Sequence, residues 1–333
     1  INSFLCADIT EARVWGECAP SSGLLDCLQC AVISQILPVS EPDDSMTHYP
    51  NLSALLRDRK QTLAKGPIAV ILVEDAVEVT GTITHHQNLG FGQIIVFAAH
   101  EIALPKSIAE VIIRVDFDVV ADGAPVQIMN ALIDAAPDRW FYYCYNAEYL
   151  FYPFSEYRSV GEMLRFVAEE RRKTVATYVV DLYAGDLTAD PTGVAPADAY
   201  FDRSGYYALA RQDAEGQVLE RQVNVFGGLR WRFEEHIAQE RRRIDRMALF
   251  QAQPGLRMQP DRQFNDPEYN TIACPWHNSL TAAIASFRTA KALRRNPGSR
   301  HEIDSFHWQQ SERFNWRAQQ LMDAGWIEPG QWF

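Results

Sequence analysis

The run Ile68-Ala-Val-Ile-Leu-Val73 contains no polar residue, is rich in β-branched side chains and stands directly behind Gly66-Pro67. A strand with one face in water alternates apolar and polar residues. An unbroken run needs cover on both faces, which is the setting of an interior strand in a parallel sheet with helices above and below it. The segments that follow repeat this theme. Asp75 is placed to cap a helix that uses Val77, Ile83 and Leu89 and stops at Gly90. Gln93–Ala98 and Glu110–Phe117 read as strands, Pro125–Ala136 as a helix with proline in its first turn, and Trp140–Tyr145 as a fourth strand. Ser159-Val-Gly-Glu162 is a capping box that opens a helix running to about Arg172, and Thr174–Tyr183 returns as a strand. The alternation predicts an α/β domain with a mixed, mainly parallel central sheet flanked by helices.

Before and after this core the pattern changes. Leu24–Leu37 reads as a helix followed by a polar linker, so residues 1–65 are expected to form an N-terminal extension packed on a main domain of residues 66–300. Asp186–Ala199 is a long loop with prolines and a glycine, and Gly205–Arg211 and Val218–Phe226 form a hairpin around Asp213-Ala-Glu-Gly216. Asn278 is expected to cap a helix over Leu280–Leu293, and a last helix over about Gln309–Ala324 lies in a C-terminal helical extension, residues 301–333.

The net charge of −12 argues against a nonspecific nucleic-acid binder, which needs a basic footprint to displace counterions. No stretch approaches the ~18–20 uninterrupted apolar residues of a membrane-spanning helix. A signal-peptide pattern is lacking, which favours the cytoplasm. Among the cysteines, Cys144 and Cys274 sit in apolar surroundings typical of buried thiols. Of Cys6, Cys18, Cys27 and Cys30 only the last pair has ligand-like spacing, so packing thiols are expected there and no metal ligand is assigned.

The stretch Asp138-Arg-Trp-Phe-Tyr-Tyr-Cys-Tyr-Asn-Ala-Glu-Tyr-Leu-Phe-Tyr-Pro153 joins an aromatic strand to an acidic position and a Leu-x-Tyr-Pro exit. It resembles the family 2 glycosyltransferases, in a branch that reads roughly W-x-x-x-x-D-x-D-E-F-L-x-Y-P at this place. The resemblance spans about Ile68 to Asn296 and implies a GT-A-like, nucleotide-diphospho-sugar transferase fold that transfers a hexose from a nucleotide sugar to a glycan, lipid-linked or protein acceptor. In the family two aspartates of this strand hold the Mg²⁺ or Mn²⁺ that grips the sugar donor's diphosphate. Tyr145 and Ala147 stand in their places and Glu148 alone is retained, a poor oxygen-ligand set for such a cation. Either protein cations take over from the metal, or the fold persists as a non-catalytic subunit that binds a carbohydrate or protein partner, with the N-terminal segment as a docking element.

The candidate nucleotide-binding residues are Glu74 and Asp75 at the end of the first strand, Glu148, the guanidiniums Arg230 and Arg232 behind Gly227-Gly228, and His277. His277 matches a family histidine that precedes a helix, where it would meet a phosphate. Glu235 and Asp181 are the candidates for the carboxylate that deprotonates an acceptor hydroxyl. Glu74, Asp75 and Glu148 are expected to converge at one sheet edge, because the ends of parallel strands share a crevice. His85 and His86 are read as one packed and one exposed ring.

Overall fold

The computed structural model describes residues 46–332. The readings made on the early helix and on Cys6, Cys18, Cys27 and Cys30 lie outside them. Strand β1 (Thr47–Tyr49) is followed by two short helices, α1 (Leu52–Arg57) and α2 (Arg59–Thr62), and then by β2 (Ile68–Val73). Helix α3 (Val79–Asn88) leads to β3 (Gln93–Ala98) and β4 (Ile113–Asp116), α4 (Ala124–Ala135) to β5 (Trp140–Tyr145) and β6 (Glu148–Phe151), and α5 (Val160–Glu169) to β7 (Thr174–Ala184). Beyond the long loop come β8 (Ala199–Asp202), the hairpin β9 (Tyr207–Gln212) and β10 (Val218–Phe226), α6 (Leu229–Arg232) and β11 (Asp245–Gln251). The chain closes with β12 (Ala282–Ser286), α7 (Arg288–Arg295), β13 (Ser311–Arg313) and α8 (Ala318–Asp323).

The main sheet has 11 strands in the order β1-β4-β3-β2-β5-β11-β7-β12-β6, with β8 attached to β7 and β13 to β8. β1, β4, β3, β2 and β5 run parallel, β11 is antiparallel to both of its neighbours, and β12 is parallel to β7. The sheet is therefore mixed and mainly parallel. Its order places the C-terminal ends of β2, β5 and β12 beside the N-terminal start of β11, so residues distant in sequence meet along one edge.

Every residue of β2 is buried, as an interior strand requires. The capping box is present in full: Ser159 Oγ accepts the Glu162 N–H and Glu162 Oε2 accepts the Ser159 N–H. Asp75 does not cap α3. Its Oδ1 accepts the Val77 N–H at 2.9 Å in a local turn, and Glu78, with φ of 56°, precedes the helix.

Two helical expectations are corrected. Ala282–Ser286 enters the sheet as β12 where Leu280 was expected to start a helix, and within Leu280–Leu293 the helix begins only at Arg288. Alanines favour helix in isolation, but the run fills a gap between β7 and β6 and is buried on both faces, so tertiary contact overrides propensity. Gln309–Ala324 likewise splits into β13, which completes the edge offered by β8, and the short α8. The sheet also begins earlier than expected, since β1 lies in the segment read as an extension, and Trp326, Ile327 and Trp332 near the C-terminus join the main core. β11 has no counterpart among the elements read from the sequence. No helix among the described residues is long and apolar enough to cross a membrane.

Candidate functional site

Asn146 and Ala147 alone connect β5 to β6, and Ala147 adopts a left-handed conformation with φ of 62° to make the turn. The Asn146 side chain pins this turn to the end of β2. Its Oδ1 accepts the Glu74 N–H at 2.9 Å, and its Nδ2 donates to Asp75 Oδ1 and to the Val77 carbonyl, each at 2.8 Å. Glu148 follows immediately and is fully buried. It accepts the Tyr145 N–H at 2.9 Å and the Ser286 hydroxyl at 3.0 Å, and it takes a bidentate pair from Arg246 at 2.7 and 3.0 Å. Burial pushes its carboxyl up, but the Arg246 guanidinium outweighs that and holds it down at about 2.

Glu74 receives a second bidentate pair, from Arg288 at 2.6 and 2.8 Å. The Arg288 guanidinium carbon lies 3.7 Å above the Tyr145 ring, a cation–π contact. Arg246 and Arg262 approach the same ring at 5.6 and 5.8 Å. Asp75 faces Lys291 at 2.9 Å, at an angle poor for a hydrogen bond, and Arg295 at 2.6 Å. Burial raises the Asp75 carboxyl and these cations bring it below its ordinary value. Asp181 lies one strand over, on β7 opposite Ser286. Its Oδ1 accepts the Thr289 hydroxyl at 2.8 Å and lies 3.3 Å from Arg230 Nε, while its Oδ2 has no hydrogen-bond partner among the described residues. Here burial prevails over Arg230, and the carboxyl is raised.

The structure thus brings Glu74, Asp75, Glu148, Asp181 and Arg230 to one edge, with Arg232 claimed by Asp202 on the strand beside Asp181, and leaves Glu235 and His277 elsewhere. Arg232 points to Asp202 at 2.9 Å and to the Phe306 carbonyl at 2.6 Å, with Trp308 stacked on it at 4.8 Å. Glu235 is exposed and lies 3.7 Å from His236. His277 precedes a strand instead of a helix and pairs with Glu170, at the end of α5 and just before β7 begins. That is the opposite edge of the sheet from Glu148, so His277 cannot meet a phosphate bound there.

Arg230 is in the cluster but is not a free cation. Besides Asp181 it donates to the Thr289 hydroxyl at 3.1 Å and the Arg243 carbonyl at 2.7 Å. The glycines before it are needed for close approach: Gly228 has φ of 64°, and a Cβ there would lie 3.1 Å from Asp181 Oδ2. The histidine reading needs revision as well. His86 is fully buried and His85 is wedged between Tyr149 and Phe151, with Nε2 2.7 Å from the Leu150 carbonyl. Burial lowers both rings, His86 to about 3.

Sequence reasoning missed Arg246, Arg288, Lys291 and Arg295. The last three recur at helical spacing in Arg288-Thr-Ala-Lys-Ala-Leu-Arg-Arg295, a basic face that a strand-then-helix reading of 280–295 would have aimed at the edge. Among the described residues every strand-end carboxylate named above is matched to a cation, so no acidic pair is left to grip a divalent ion. The more accessible charges are cationic: 29% of the Arg288 side chain and 57% of the Arg295 side chain are exposed. Such an edge attracts anions.

No model of a known protein family matches the chain, and no curated protein matches it.

Proposed function

We propose that this chain is a glycosyltransferase-like protein of the nucleotide-diphospho-sugar type, with a GT-A-like scaffold, whose strand-end crevice takes the diphosphate of a nucleotide sugar on arginine instead of on a divalent cation. The observation that carries this reading is the placement of guanidiniums. Arg246 sits on Glu148 and Arg288 on Tyr145, the neighbourhood in which the resemblance puts the metal. Guanidinium is always charged, binds phosphate oxygens in pairs and needs no acidic ligand set. Arg262, outside the ion pairs named above, adds a cation that a diphosphate can take up without breaking any of them. Hexose transfer to a glycan, lipid-linked or protein acceptor follows from the resemblance, with Asp181, the carboxylate of the cluster that burial raises above its ordinary value, as the base.

A second reading, a non-catalytic carbohydrate- or protein-binding descendant, is favoured by a different observation. Tyr145, Asn146, Ala147 and Glu148 are at most 1% exposed, so the strand end itself is sealed. A thermal-shift screen with uridine, guanosine, thymidine and cytidine diphosphates, followed by assay of slow nucleotide-sugar hydrolysis, separates the two. The transferase reading expects one diphosphate to stabilise the protein and its sugar to be hydrolysed. Stabilisation by glycans with none by any nucleotide would replace it with the second.

A further inference from the structure

At the opposite edge of the sheet, three side chains of different chemistry meet: the ligand atoms of Glu170, Cys274 and His277 all lie within 4.8 Å of one another. The backbone that carries them is fixed from several sides. Arg172, two residues beyond Glu170, donates to the Thr271 carbonyl at 2.7 Å, and Arg221 donates to the Ala273 carbonyl at 3.0 Å. The Cys274 N–H is held by Ser279 Oγ at 3.0 Å, which closes the loop around His277, and the same hydroxyl reaches Cys274 Sγ at 3.5 Å. The three ligating side chains are themselves half-buried and can adjust.

The histidine's orientation is the second, independent pointer. His277 Nδ1 lies 2.9 Å from the Asn278 carbonyl, which only accepts, so Nδ1 carries a hydrogen. That leaves Nε2 facing Glu170 Oε2 at 3.0 Å. A cation that takes the place of a proton between these two atoms meets the Nε2 lone pair, the carboxylate oxygen and the Cys274 sulfur, which lie within 4.8 Å of one another and form a donor set. A backbone carbonyl holding the far ring nitrogen is the usual support of a metal-bound histidine.

We propose that Glu170, Cys274 and His277 bind a zinc ion that clips the end of α5 to the segment entering β12. One thiolate, one imidazole and one carboxylate are the ligand types zinc accepts together, whereas magnesium and calcium avoid sulfur. Tetrahedral zinc with bonds of about 2.0–2.3 Å holds its ligand atoms ~3.4 Å apart, so closing the trio needs movements of roughly 1 Å in side chains that are free to make them. Three protein ligands leave a fourth position for water. On binding, Cys274 Sγ releases its proton to solvent, as does His277 Nε2 any proton it shares with Glu170, so that the ring binds zinc through its Nε2 lone pair. The site stands apart from the nucleotide reading and does not depend on it.

The test uses the full chain, stripped with a chelator and returned to metal-free buffer, with Zn²⁺ titrated by calorimetry into the parent, Cys274→Ser, His277→Gln and Glu170→Gln. The parent should take up one equivalent that Cys274→Ser and His277→Gln lose, with Glu170→Gln binding at least about tenfold more weakly, since even outer partners of zinc ligands cost that much when removed. The Co²⁺-loaded parent should show a sulfur-to-cobalt charge-transfer band that Cys274→Ser lacks. Circular dichroism of the metal-free variants controls for folding, and if Cys274→Ser misfolds the other two variants decide. A parent that takes up no zinc, or variants that keep the parent's stoichiometry and affinity, would overturn the site and leave a histidine–glutamate contact alone.

Discussion

At the C-terminal ends of the parallel strands, Glu74, Asp75, Glu148 and Asp181 each face a guanidinium or an ammonium. At the opposite edge, Glu170, Cys274 and His277 face one another across a half-buried notch. Both places gather titratable groups, yet the carboxylates of the first face guanidiniums or an ammonium and Glu170 faces a histidine. Burial separates the extremes: Glu148, with no exposure, cannot persist without a partner of opposite charge, whereas the Glu170 side chain is 21% exposed and faces a histidine. A sealed, internally paired cluster is built to hold its own geometry and present cations outward. An open donor set is built to receive a cation.

The sharpest way to break this comparison is to remove one partner from the sealed end. Arg246→Leu leaves Glu148 buried and unpaired and should cost about 3–5 kcal/mol in urea unfolding, while Arg246→Leu with Glu148→Met should recover most of that loss. A loss below about 1 kcal/mol for the single variant would mean that water reaches Glu148 and the end is not sealed.

A smaller effect is expected from pH, and its sign follows from the same burial. The His86 ring falls from 6.5 to about 3 on folding, so the unfolded chain takes the proton first, and stability present above about pH 6.5 declines as the pH drops toward 3. Glu148, lowered from 4.5 to about 2, acts in the same direction but only below pH 4.5. Unfolding free energy should therefore already fall between pH 6.5 and 4.5, with a shallower slope in His86→Phe, which keeps the stack on Tyr142 but does not titrate. An unchanged slope would remove His86 from the account.

The smallest change belongs to the open end. Without metal, His277→Gln breaks a histidine–glutamate contact whose side chains are each 21% exposed and should cost no more than about 1 kcal/mol. A loss as large as that of Arg246→Leu would erase the difference between the two edges.

How much of this was legible in the sequence depended on the distance between partners. β2, β3, α4, β5 and the capping box announce themselves through local runs and caps, and the mixed, mainly parallel sheet follows from their alternation. Glu74, Asp75 and Glu148 were legible as strand-end acids. Their partners were not: Arg246 is 98 residues from Glu148 and Arg288 is 214 from Glu74, and no local pattern records such a pairing. Misreading Leu280–Ser286 as helix hid the basic face of α7 in the middle of a longer element, and overlooking β11 hid Arg246. Arg232 shows the converse error, since a pair of arginines after glycines looks like an anion site until Asp202 is seen to claim one of them.

The central claim is that fixed arginine charge at the strand ends does the work of a divalent cation, and its most direct test is calorimetry of nucleoside diphosphate binding in chelator and in Mn²⁺, for the parent and for Arg288→Ala. The account predicts the same affinity in both media and, on losing a charge-assisted phosphate contact of ~1.5–3 kcal/mol, a drop of about tenfold or more in Arg288→Ala. Binding that appears only with Mn²⁺ and is unchanged in Arg288→Ala would contradict it.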